Sequence, residues 1–121
     1  MTSDILLADC HTHLDQYPSA EMTEILERAG DSSVVFAVCA GTTLQSTQDC
    51  IDLADQHEPL FAGVGIHPME ARDPVTDKIY AELERMAKSS SKVVCISEVG
   101  LDYLPASPDH AVQDQVFRAH I

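Results

Sequence analysis

Two imidazoles separated by one residue, His11 and His13, stand where the apolar run Ile5-Leu6-Leu7-Ala8 gives way to Leu14-Asp15. On an extended strand, side chains two apart point the same way, so both rings can reach one divalent cation from a short stretch of backbone. Such a pair needs ligands from elsewhere, because a hydrogen-bonded structural pair has the same spacing. Glu98 and His67 answer that need: Glu98 follows the apolar run Val93-Val94-Cys95-Ile96, and His67 follows a run ending at Ile66. A carboxylate beside a buried strand is costly unless paired, which favours ligation over an exposed strand-end acid. His67 precedes Pro68, so a turn competes with a functional role. Cys10 points to the opposite face of the strand from both histidines, which disfavours a zinc site made with it. Asp9 shares the His11 side and can orient a ligand ring or satisfy backbone amides; Asp15 and Asp102 sit where aspartates cap or turn.

The elements that must position these groups alternate along the chain. Apolar runs over 5–10, 34–39, 60–66 and 92–98 predict four strands of the buried, β-branched type. Between them run helical patterns: 21–29 with Ser19 as cap and Gly30 as stop, 44–57, one opening at Asp73-Pro74 with the stripe Val75, Ile79, Leu83, Met86 and Ala87, and one opening at Ser107-Pro108 through Val112, Val116 and Phe117. Continuous apolar strands alternating with amphipathic helices predict an α/β fold, a parallel sheet covered by helices, with its site at the carboxyl ends of the strands. His11 and His13 end the first strand, His67 the third and Glu98 the fourth, so all gather on one rim.

Composition narrows the function classes. The chain of 121 residues is sized for one domain, and 45% apolar content is that of a globular protein without a membrane span. Met1-Thr2-Ser3-Asp4 lacks a basic leader and the apolar run after it is short, which predicts a cytoplasmic setting. In that setting Cys10, Cys39, Cys50 and Cys95 read as buried free thiols. A net charge of −13 offers no basic track for a nucleic-acid backbone, so a phosphate substrate would need bound cations.

Three segments carry a resemblance. Asp9-Cys10-His11-Thr12-His13-Leu14-Asp15, Gly63-Val64-Gly65-Ile66-His67-Pro68 and Ile96-Ser97-Glu98-Val99-Gly100-Leu101-Asp102-Tyr103 are similar, in order and spacing, to the motifs of the TatD family of metal-dependent hydrolases, and Gln115-Val116-Phe117 resembles its next helix. The resemblance implies a TIM-type (β/α)8 barrel with two divalent metals (Zn, Mg or Mn), acting on nucleic acid as a deoxyribonuclease, with aminoacyl-tRNA deacylation as a variant on the same fold. By motif, His11 and His13 would bind the first metal and Glu98 would bridge both. His67 would contact substrate phosphate, and Asp102 falls near the substrate. Ser97 stands where the family commonly has glycine.

The same resemblance sets an expectation of incompleteness. A full barrel runs to ~250 residues, so residues 1–121 would be the N-terminal half, the first four of eight units. The family's later ligands, two histidines and an aspartate, have no counterpart here, and the general base would lie with them. His110 and His120 fall on the segment after the fourth strand and read as exposed helix histidines. The expectation is a fragment binding one metal weakly or none, or a half-barrel that self-associates or pairs with a second half.

Overall fold

The structure, a computed structural model, describes residues 5–121; the reading of Met1 to Asp4 lies outside them. Four strands, β1 (Leu7–Thr12), β2 (Val34–Ala40), β3 (Leu60–Val64) and β4 (Val93–Ile96), pair in chain order, each parallel to the next. Helices α1 (Met22–Asp31), α2 (Leu44–Gln56), α3 (Asp77–Ala87) and α4 (His110–Ala119) follow them in turn. This is the α/β arrangement expected, the first four units of a (β/α) barrel. No helix among the described residues is long and apolar enough to cross a membrane.

The helices cover one face of the sheet. Ala37 and Cys39 of β2 and Leu60, Ala62 and Val64 of β3 pack against Met22 of α1, Cys50, Ile51 and Ala54 of α2, and Leu83 and Met86 of α3. Alternation puts Val38 and Phe61, which are register partners, on the other face, where with Phe36 and Val94 they line an apolar hollow of ≈ 320 Å³. Phe36 is 38% and Val94 53% exposed, because no second layer among the described residues covers this face. β4 carries one residue more than β3 opposite it, since Ala62 pairs with Val93 and Gly63 with Cys95.

Several expectations change at the ends of elements. The cysteines divide: Cys39 and Cys50 are buried, whereas Cys10 and Cys95 are exposed. Cys10 lies on β1, which among the described residues pairs on one side only, and Cys95 shares a register position with Gly63 on the uncovered face. α3 is capped by Thr76 rather than Asp73: the Ile79 N–H goes to Thr76 Oγ1, and the Val75 carbonyl, which would have had to accept it in a helix begun at Asp73, is bonded to the Gln115 amide instead. α4 is capped by Asp109 rather than Ser107; the carboxylate takes the Ala111 and Val112 N–H groups, while the Pro108 carbonyl accepts from Gln113. α1 runs through Gly30 and ends at Asp31, with Ser33 taking the left-handed conformation at φ 66° that the glycine was expected to supply. At Ser19 a 3₁₀ turn precedes α1, which has no side-chain cap.

Candidate metal centre

The carboxyl ends of β1, β3 and β4 deliver their groups to one point. Glu98 accepts the approach of three rings: His11 Nε2 at 3.1 Å from Oε1, His13 Nε2 at 3.5 Å from Oε2, and His67 Nε2 at 3.8 Å from Oε1. Donor atoms of His11, His13 and Glu98 all lie within 4.8 Å of one another. The two rings of the His-x-His pair meet edge to face, 5.1 Å between centroids, as same-side neighbours on one strand should.

Hydrogen bonds at the far nitrogens divide the histidines by role. His13 Nδ1 lies 3.1 Å from the Ala40 carbonyl. A carbonyl only accepts, so Nδ1 carries the proton and the Nε2 lone pair faces Glu98, the arrangement by which ligand histidines are oriented. His67 is the opposite case: its Nδ1 accepts the Met69 N–H at 3.0 Å, which places the ring proton of the neutral form on Nε2 as a donor. His13 is thus set up to coordinate and His67 to donate a hydrogen bond.

The residues fit a divalent cation on their own geometry. In neutral His13, an imidazole lone pair confronts a carboxylate oxygen, two acceptors facing each other, which a cation between them relieves. A zinc polyhedron with Zn–N and Zn–O bonds of ~2.0–2.2 Å has N···O edges of about 3.3 Å, between the 3.1 and 3.5 Å found here.

Backbone contacts that the sequence does not advertise hold these groups in place. Gly63 and Gly65 let the Ser97-Glu98 segment lie against β3: a Cβ on Gly63 would strike Ser97 Oγ, and one on Gly65 would stand 2.5 Å from the Ser97 carbonyl oxygen. Ser97 N–H donates to the Val64 carbonyl and Glu98 N–H to that of Gly41. Ser97 therefore fits, its side chain occupying room that Gly63 leaves.

The His67 segment is clamped from two helices. Thr47 of α2, fully buried, donates from Oγ1 to the Gly65 carbonyl at 3.2 Å, and His67 N–H donates to the Thr42 carbonyl. His120, expected on an exposed helix face, is instead half-buried at the end of α4. Its Nδ1–H donates to the Val116 carbonyl at 2.8 Å and its Nε2 accepts the Ile66 N–H at 3.1 Å. Both ring nitrogens are engaged, so His120 offers no ligand atom. His110 is exposed, stacked on Tyr103 at 3.9 Å.

Two of the three aspartates serve the backbone and the third a thiol. Asp9 Oδ1 accepts the His11 N–H, Asp15 Oδ1 takes the Cys39 thiol, and Asp102 Oδ1 accepts the Leu104 N–H in an Asx turn. Sequence reasoning missed Gln113, which is fully buried and binds the Asp102 backbone at both ends, Oε1 accepting its N–H and Nε2 donating to its carbonyl, each at 2.8 Å. Its one sequence signal is an amide on the buried face of an amphipathic helix.

With this geometry in hand, likeness to known proteins has a physical basis. The family model described as TatD related DNase matches residues 8–121. An uncharacterized metal-dependent hydrolase of Bacillus subtilis, YabD, is 30% identical over 118 residues, 96% of this chain and 45% of the relative. The 3'-5' ssDNA/RNA exonuclease TatD of Cronobacter sakazakii is 30% identical over 98 residues, 77% of this chain and 36% of the relative. The crystal structure of YjjV, a TatD homolog from Escherichia coli, superposes with a TM-score of 0.84 at 26% identity, covering 94% of this chain and 44% of that one. The chain spans less than half the length of these relatives. A strand-end His-x-His, the glycine-lined His67 segment and Glu98, matched in one family model from residue 8 to residue 121, place this chain in the TatD-related DNase family.

Proposed function

We propose that residues 1–121 are the N-terminal half of a metal-dependent hydrolase barrel acting on phosphodiester bonds of DNA, in the cytoplasm, and that by itself this half binds one divalent cation through His11, His13 and Glu98. The observation that carries the reading is the opposed hydrogen bonding of two histidines: His13 is oriented by a carbonyl so that Nε2 can coordinate, and His67 by an N–H so that Nε2 can donate. A bound divalent cation (Zn, Mg or Mn) supplies charge that acidifies water and offsets the charge developing on phosphate. Glu98 turns one carboxylate oxygen toward His11 and the other toward His13, so it would complete the set that holds that cation, and the bridging of a second cation in the complete site is what the family resemblance implies. His67 lies at the same rim with a proton to offer a phosphate oxygen. The exonuclease name of one relative supports nucleic acid as the substrate class. The general base belongs to the part of the barrel beyond these residues, as do the remaining ligands.

Calorimetric titration of the purified chain with Zn²⁺ or Mn²⁺, run beside a nuclease assay in Mg²⁺ or Zn²⁺, tests this. One cation bound, lost in His11→Ala, with no turnover is the expected result. Absence of binding would overturn the site. Metal-dependent cleavage abolished by His11→Ala would show that these residues alone suffice for catalysis, and metal-dependent release of an amino acid from aminoacyl-tRNA in its place would move the substrate class.

A further inference from the structure

Away from the rim, β2 and α2 bring two thiols together. Cys39 and Cys50 are each 0% exposed, and the Cys50 S–H donates to Cys39 Sγ across 2.9 Å. Cys39 Sγ lies in turn 3.5 Å from Asp15 Oδ1. Carbon atoms in good contact sit ~3.5–4.0 Å apart and sulfur is larger, so this approach is closer than packing alone produces. We propose that Cys39 and Cys50 form an oxidation-sensitive dithiol that hydrogen peroxide closes to an intramolecular disulfide, a modification site separate from His11, His13 and Glu98.

The two sulfurs are not equivalent. Accepting the Cys50 proton holds the Cys39 thiol below its ordinary range, against both burial and the charge of the Asp15 carboxylate, while donating that proton, with burial added, pushes the Cys50 thiol far up. Cys39 is therefore the nucleophile and Cys50 the partner that resolves it. Ionised Cys39 takes one oxygen from peroxide as the O–O bond breaks, giving a sulfenic acid and releasing the other oxygen as hydroxide. Cys50 attacks the sulfenic sulfur, the S–S bond forms, and that oxygen departs as water with the Cys50 proton. The proton lost from Cys39 neutralises the hydroxide, so two thiols and one peroxide become one disulfide and two waters. Burial selects a small oxidant and leaves bulky reagents to Cys10 and Cys95, which are exposed. Asp15 completes a set of donor atoms within 4.8 Å, but a cation there would have to strip Cys50 of the proton it holds most firmly.

The folded chain and a Cys10→Ser/Cys95→Ser variant, altered only at exposed thiols, are each treated with hydrogen peroxide, quenched, denatured, alkylated and mapped by mass spectrometry. The expected result is an intact variant mass lower by two hydrogens and a peptide cross-linked between Cys39 and Cys50 that dithiothreitol separates. Recovery of the two cysteines on separately alkylated peptides overturns the proposal. So does Cys39 carried on to a sulfinic acid without a cross-link, or zinc retained on both sulfurs in the native mass spectrum.

Discussion

At the residue scale, the chemistry turns on which nitrogen of each imidazole is free. His13 and His67 both approach Glu98 through Nε2, yet one is backed by a carbonyl and the other by an N–H. We expect His13→Ala to weaken Zn²⁺ binding by about 100-fold or more, beyond the ~10–100-fold typical of losing an outer partner, and His67→Ala to change it by less than about tenfold. Equal losses in calorimetry would show that the ring backed by an N–H coordinates as well. Because imidazole ligands bind metal only when neutral, binding releases protons, and affinity should fall as pH is lowered; an affinity flat from neutral to mildly acid pH would rule out histidine ligation. His11, His13, Glu98 and His67 were legible as strand-end residues of chemically competent type. Which nitrogen of each ring is left free was not, since it depends on Ala40 and Met69 backbone groups 27 and 2 residues away.

At the element scale, helix starts hold the rim together. Thr43 and Ser46 exchange side-chain to backbone bonds at the head of α2, and Ser46 Oγ also accepts the Thr42 N–H, the same Thr42 whose carbonyl holds His67. Thr43→Ala should cost about 1 kcal/mol in urea unfolding. A serine in place of the usual Glu or Gln hides this capping box from a sequence scan, which places the helix correctly but leaves its cap unseen. The caps expected at Asp73 and Ser107 fail because Pro-based start signals ignore side chains that compete for the backbone: Gln115 of α4 claims both backbone groups of Val75 from another element, and Gln113, inside α4 itself, claims the Pro108 carbonyl. Gln113→Ala removes an amide making three bonds from a fully buried site and should destabilise the fold by about 2–4 kcal/mol, read by the same unfolding experiment. A loss below 1 kcal/mol would mean that the Asp102 turn stands without it.

At the scale of the whole molecule, one face of the sheet is covered by helices and the other is apolar and open. Phe36, Val38, Phe61 and Val94 line a hollow that faces water in this chain. Exposed apolar patches of this kind bind hydrophobic dyes and partners. The isolated chain should therefore enhance anilinonaphthalene sulfonate fluorescence and self-associate with rising concentration, and Val94→Lys, at a 53% exposed position, should reduce both; a dye-silent, strictly monomeric chain on size exclusion would contradict that. The order of apolar runs and the strand-end placement of His11, His13, His67 and Glu98 were determined by sequence alone, because strand periodicity and chain order are local properties that survive without coordinates. What only the tertiary structure decided is what each group bonds to: which ring nitrogen is free, that His120 clamps Ile66 instead of facing solvent, that Cys39 meets Cys50 while Cys10 and Cys95 stay exposed. Apart from the Met69 N–H two residues from His67, those contacts join residues 11 to 54 positions apart, and no spacing rule within one element can foresee a partner that packing brings from another.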